Sequence, residues 1–153
     1  MYRSGSRYVP IRPLLIAFSC LALPGLALAA KWEKVGEAGP VQVYVDKDSI
    51  RKNGIEARAN LEWRWSRPTD VPDASPPRQY RLERQVQISN CSNRAYAVSE
   101  GTRYADDRGL DPVSSYKYDE LSLPYSVAPA RSVRDLVVSY VCTTPVATPP
   151  AKK

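Results

Sequence analysis

Residues 55–65, IEARANLEWRW, place Ile55, Ala57, Ala59, Leu61, Trp63 and Trp65 at every second position, with Glu56, Arg58, Asn60, Glu62 and Arg64 between them. A period of two over eleven residues is the pattern of a β-strand with one buried face and one solvated face, the usual condition of antiparallel sheets. A helix would scatter these apolar residues around its whole circumference. The chain therefore reads as built on an antiparallel sheet that contains this strand.

Working outward, Gln79 to Asn90 gives a second strand, with Tyr80, Leu82, Val86 and Ile88 on one side and Arg81, Glu83, Gln85 and Gln87 on the other. Arg84 interrupts the apolar side, which suggests a position near an edge where the guanidinium reaches water. Arg58, Arg64 and Arg81 are then expected to share the solvated face with Glu56, Glu62 and Glu83, a mixed surface that does not suit a polyanion. Between the two strands, SRPTDVPDASPPR (66–78) reads as a long surface loop stiffened by four prolines. NCSNR (90–94) is a turn into a third strand, Ala95 to Tyr104. Upstream, Trp32 to Val35 and Val41 to Asp46 are short strands around GEAGP, and KNG (52–54) is a turn. Downstream, ADDRGLDPVSSYK (105–117) is polar and turn-rich and reads as a loop, with a short strand at Tyr118 to Leu121.

The end of the chain changes period. Val133, Leu136, Val137, Tyr140 and Val141 fall at i, i+3, i+4, i+7 and i+8, one stripe of a helix, and Ser132 with Asp135 three residues on forms a capping box. The expected fold is α+β: an antiparallel sheet of about five or six strands with one C-terminal helix packed on it. After Cys142, TTPVATPPAKK (143–153) reads as a disordered Thr/Pro/Ala-rich tail.

The beginning is of another kind. Arg3, Arg7 and Arg12 precede an apolar run from Leu14 to Leu23, then Pro24-Gly25 and Ala27-Leu28-Ala29, the arrangement of an export signal cleaved before Ala30. Phe18 and Ser19 precede Cys20 and a further apolar stretch follows it, so Cys20 reads as part of the signal and not as a lipid-attachment site. Loss of residues 1–29 removes three arginines, taking 22 basic side chains to 19 against 16 acidic ones. A net charge of that size argues against nucleic acid as a partner. The mature chain, 30–142 plus tail, has no segment suited to span a membrane.

Two cysteines remain, Cys91 and Cys142. In an exported chain an even pair is most simply a disulfide, and it would staple the helix end to the sheet beside the second strand. The sequence contains no histidine, which removes Ser-His-Asp and Cys-His mechanisms, leaves a metal site only carboxylates, and suggests no cofactor. The acidic pairs Asp46/Asp48, Asp106/Asp107 and Asp119/Glu120 fall at turns, where Asp is favoured for bonding the backbone. They would be the acid/base residues of a periplasmic hydrolase, the alternative to a binding protein; a structural envelope component is the other.

The chain from about residue 31 to 142 resembles the surface-adhesin protein E family of small exported bacterial proteins. The likeness rests on Trp32, VYVDKDSI (43–50) followed by Gly54, ISNC (88–91) and YSVAPARSVRDLVVSYVC (125–142). It implies an antiparallel sheet with a C-terminal helix tied to it by a Cys91–Cys142 bridge, dimers as a possible state, and binding in place of catalysis: the family's namesake is an outer-membrane lipoprotein that binds host extracellular-matrix and plasma proteins. Without a lipid-attachment motif, a periplasmic or secreted binding domain with a protein or envelope partner is expected here. The candidate binding surface is Tyr104, Tyr116, Tyr118 and Tyr125 around the second loop, with Trp65 beside the first, because aromatic loop residues bury much area at little entropic cost.

Overall fold

The computed structural model describes residues 30 to 146. The export signal expected at 1–29 and the tail from residue 147 onward lie outside the described residues. Among the described residues, strands β1 (Trp32–Ala38), β2 (Val41–Asp46), β3 (Arg51–Asn53), β4 (Glu56–Asp70), β5 (Gln79–Asn90), β6 (Ala95–Tyr104), β7 (Pro112–Lys117) and β8 (Ser126–Val127) precede a single helix, α1 (Val133–Thr143). All pair antiparallel in one sheet of order β1-β2-β4-β5-β6-β7, with β3 joined to β4 and β8 to β6. The α+β class is as the sequence indicates. The strand count is eight, where five or six were expected.

The additional strands are short or on an edge, where no apolar alternation announces them. Arg51–Asn53 is exposed throughout and pairs with Arg58–Glu56 across Gly54, which takes φ +60° in the turn. β7 lies in the segment that reads as loop. It starts at Pro112, a position where a strand tolerates the missing N–H, and pairs only with β6. The strand expected at 118–121 is instead a 3-10 turn, Glu120–Ser122, whose entry is fixed by the Asp119 side chain accepting from Leu121 N–H. β4 likewise runs past Trp65 through Pro68 to Asp70: the register shifts between Arg64 and Thr69, and a bulge is where a strand accommodates proline.

One consequence of register overturns the expected faces. Trp63 pairs with Glu83, Leu61 with Gln85, Ala59 with Gln87 and Ala57 with Ser89. Directly opposed residues share a face, so the apolar side of β4 continues on β5 as Glu83, Gln85, Gln87 and Ser89. Glu83 therefore stands on the opposite face from Glu62, not beside it. Val86 and Ile88 share the other face with Asn60 and Arg58.

The main core forms where α1 covers β1, β2 and β4. Val43, Val45, Ile50, Ala57, Ala59, Leu61 and Trp63 meet Val137 and Val141, with Val35, Val41 and Val133 around them. Ser132 caps α1, its hydroxyl accepting from Asp135 N–H at 3.1 Å, so the capping residue is the expected one. Of the expected stripe, Leu136 is 46 % exposed, while Val138, outside it, is buried. Both ends of α1 are tied to the β5–β6 turn. Arg94 Nε donates to Asp135 Oδ1 at 2.8 Å, and Cys91 forms a disulfide with Cys142, Cα to Cα 5.6 Å. Closing a loop of that size contributes about 4 kcal/mol by loss of unfolded-chain entropy. The first residues expected in the tail stay on the fold: Thr144 is buried and Val146 packs against the core.

On the other face, β5 is an interior strand, so Arg84 is not at an edge, although its side chain stays 39 % exposed. Its Nε donates to Glu62 Oε2 at 2.8 Å, and Arg64 Nε donates to Glu62 Oε1 at 2.5 Å. Glu62 is fully buried between them. The 105–111 loop folds back onto Arg84, whose guanidinium donates to Arg108 C=O and occupies the space that a Cβ at Gly109 would need.

Candidate functional site

On the helix face, the half of the sheet beyond α1 is covered by side chains alone. Tyr116 on β7 lies flat on Gly101 of β6, its hydroxyl 2.5 Å from where a Cβ would stand, and donates to Glu83 Oε1 at 2.6 Å. Burial first, and then this bond to an acid, push the Tyr116 phenol far above its ordinary pKa. The ring is thus a fixed neutral donor. Arg103, one strand over, stacks on Tyr116 at 4.8 Å and on Tyr80 at 5.4 Å. Tyr80 meets Trp65 edge-on at 4.9 Å, and Tyr116 meets Tyr118 at 5.6 Å. Trp65, Tyr80, Arg103, Tyr116 and Tyr118 thereby form one continuous strip across the sheet. Trp65 and Tyr116 are half-buried, Tyr80 is buried, and Tyr118 is open to solvent.

A second stack runs beside it. Arg134 of α1 lies 4.0 Å from the Trp63 ring centroid and 4.8 Å from that of Tyr96, and donates to Gln87 Oε1 at 2.9 Å. With the Gln85 amide oriented by its neighbours, its oxygen accepts from Trp63 Nε1–H and from Arg134. Burial pulls the Arg134 pKa down, opposed by Tyr96, Glu83 and Tyr116. Delocalised guanidinium suits such a site because it stacks and is weakly hydrated.

The strip ends in the connector between β7 and β8. Tyr118 (49 % exposed), Leu121 (96 %), Tyr125 (44 %) and Val127 (69 %) lie within ten residues. The connector is held in place by its polar members. Tyr125 Oη donates to Glu56 Oε1 at 2.9 Å, and Arg58 donates to Glu120 at 2.6 Å. Large apolar side chains gathered on a pinned surface segment mark interaction sites.

Of the residues singled out in the sequence, the structure brings Tyr116 and Tyr118 into contact and joins Trp65 to them through Tyr80 and Arg103. Tyr125 shares the connector with Tyr118. Tyr104 stands apart, on the opposite face, with Arg84 over its ring at 5.5 Å. Sequence reasoning missed Arg103, Arg134, Leu121 and Val127. The arginines sit on strand and helix positions whose partners are set by register, but Leu121 in the non-periodic run YDELSLPYSV could have been noticed as a hydrophobe with no core face to join.

One member of each acidic pair serves the backbone. Asp46 accepts from Lys31 and Asp48 N–H, and Asp119 from Leu121 N–H. Burial would raise the Asp106 pKa, but amides of Leu110, Arg108, Gly109 and Asp111 outweigh it and hold the carboxyl low. Among the described residues, no three His, Cys, Asp or Glu side chains cluster to hold a metal. No described helix is long and apolar enough to cross a membrane.

The described residues thus form a one-helix antiparallel sheet that presents aromatic and arginine side chains on its helix face. The chain belongs to the surface-adhesin protein E family, whose sequence profile matches residues 32–143. The fold is that of Haemophilus influenzae protein E. Its crystal form II superposes with a TM-score of 0.53 at 14 % identity over 78 % of this chain and 93 % of that one. Another structure of the same Haemophilus influenzae protein gives 0.51 at 14 % identity over 78 % and 89 %. Comparison with curated proteins yields no match.

Proposed function

We propose that this chain is an exported, non-catalytic binding protein, cleaved before Ala30, that engages a protein partner through the 118–127 connector and the adjoining end of the aromatic strip. The observation that carries this reading is the concentration of four exposed large hydrophobic residues, Tyr118, Leu121, Tyr125 and Val127, in one tethered segment. Protein interfaces draw most of their energy from such a cluster of aromatic and aliphatic anchors beside arginine, rimmed by polar groups. Membership of a surface-adhesin family supports the same reading. So does the engagement of Asp46, Asp106 and Asp119, one member of each acidic pair, with backbone amides, which disfavours the alternative of a carboxylate hydrolase.

The test is binding of the purified chain, disulfide intact, to immobilised extracellular-matrix and plasma proteins and to solubilised envelope proteins of its own cell. A Tyr118→Ser/Leu121→Ser double variant, which leaves the Tyr125–Glu56 bond in place, should bind at least tenfold more weakly with an unchanged unfolding midpoint. Equal binding by the variant would remove the connector from the site.

A further inference from the structure

The face of the sheet opposite α1 contains a groove of about 510 Å3, a size common to small-ligand sites. Its floor is two adjacent cross-strand rows. In the first, Asn60, Val86, Glu100 and Lys117 are opposed in register across β4, β5, β6 and β7. In the second, Arg84 pairs with Thr102 and Thr102 with Ser115. Tyr104 rises at one end. Trp32, from the far edge strand β1, forms a further part of the lining, so the sheet curls enough for its first strand to reach a groove floored by its last four.

The chemistry of this lining is selective. Each cation of the lining already holds a carboxylate: Lys117 pairs with Glu100 at 3.0 Å, and Arg84 donates to the buried Glu62, which it shares with Arg64. A polyanion would find no free cation among these groups. The floor strands are paired on both sides, β7 excepted. Across β4, β5 and β6 an extended peptide therefore has no main-chain groups to add to, and recognition there falls to side chains. The aromatic residues of the lining are Trp32, Tyr104 and Tyr116, all half-buried, and beside them stand the Asn60 amide and the Thr102 and Ser115 hydroxyls, which lie 3.0 Å apart. Aromatic faces set among uncharged donors and acceptors suit a molecule with apolar ring faces and a periphery of hydroxyl groups.

We infer that the groove binds a neutral saccharide of one or two rings, stacked on Trp32 or Tyr104, with its hydroxyls on Asn60, Thr102 and Ser115. This site uses no residue of the connector and shares only Tyr116 with the strip on the helix face, so changes at Trp65 or in the connector test the two surfaces separately.

The experiment is a titration of the full chain, disulfide intact, followed by tryptophan fluorescence and by two-dimensional NMR. The probes are N,N′-diacetylchitobiose, representing N-acetylated cell-wall glycan, lactose, representing host-surface galactosides, a heparin tetrasaccharide and an unstructured Gly/Ser peptide. One neutral disaccharide is expected to bind, shift Asn60, Thr102 and Ser115 resonances, and hold the same affinity from low to high salt. Trp32→Ala should weaken it at least tenfold. Ser115→Arg, an exposed substitution that fills the groove without touching the core, should do the same in case the Trp32 variant folds poorly, whereas Trp65→Ala on the helix face should leave it unchanged. Binding of neither disaccharide, binding only of heparin or only of the peptide, or affinity retained by Ser115→Arg would each overturn the assignment.

Discussion

The guanidinium of Arg134 lies 4.0 Å from the centre of the Trp63 ring, so a cation from the helix, and not a hydrophobe, covers the largest side chain on the central strand. The arrangement holds because Tyr96 closes the other side and Gln87 takes a hydrogen bond. Arg134→Ala should destabilise the fold by about 1–3 kcal/mol through lost stacking and an unpartnered amide. Arg134→Lys should recover little, since an ammonium cannot stack and bond in one plane. Urea unfolding midpoints measure both, and a shift below about 0.5 kcal/mol for the Ala variant would contradict the role.

Glu62 is buried between Arg64 and Arg84 on the opposite face. Its partners Arg64 and Arg84 keep 42 % and 39 % of their side chains exposed and stay partly solvated without it, so Glu62→Ala should cost about 1–3 kcal/mol. Glu62→Gln, which keeps an acceptor, should cost less. Because Arg84 also holds the 105–111 loop through Arg108, hydrogen exchange in that loop should accelerate in the Ala variant.

Gly101 is the bed of Tyr116. A Cβ there would fall 2.5 Å from the tyrosine hydroxyl, so Gly101→Ala must lift the ring and break its bond to Glu83. The expected cost is about 1–3 kcal/mol, typical of overpacking. Partner binding by the strip should weaken further than the stability loss explains, because Tyr116 supports Tyr118.

Tyr140 and Glu33 set a pH signature. The Tyr140 hydroxyl donates to Glu33. Glu33 is held below its ordinary pKa of 4.5, first by this bond and then by Lys47 against some desolvation, so its contribution is present above pH 4.5 and fades as pH falls below it. Tyr140, by desolvation and then by the same bond, is pushed from 10.0 up to about 12, so its contribution is whole below pH 10 and lost between 10 and about 12. The difference in Tm between wild type and Tyr140→Phe should therefore be widest between these limits and shrink at both ends. A difference independent of pH would mean that the pair is not coupled.

Reduction of Cys91–Cys142 frees both the β5–β6 turn and the end of α1. Cys91→Ser/Cys142→Ser should lower stability by about 2–4 kcal/mol. The loss should appear first as hydrogen exchange in α1, since Arg94–Asp135 is then the remaining tether of that turn to the helix.

Elements whose own residues declare their environment were legible from the amino acids alone. The alternation in 55–65 gave β4, the 3.6-residue stripe with Ser132 gave α1, and two cysteines in an export context gave the staple. β3, β7 and β8 were not, because an exposed or edge strand buries no face and so carries no period. The site was legible in part: Tyr116, Tyr118, Tyr125 and Trp65 are aromatic residues in and beside polar segments, whereas Arg103 and Arg134 acquire their stacking partners only across strands and from the helix.

The sequence by itself determined that there would be an antiparallel sheet, one C-terminal helix and one bridge between them, since each follows from local pattern or from cysteine count. Only the tertiary structure decided which side of the sheet each strand's apolar residues would occupy. Glu83 stands beside Trp63, and Val86 beside Asn60, because side chains alternate with period two and a shift of one residue in pairing moves a whole strand's set to the other face. Periodicity within a strand carries no information about that shift, and it is the shift that places the aromatic strip on one face and the groove on the other.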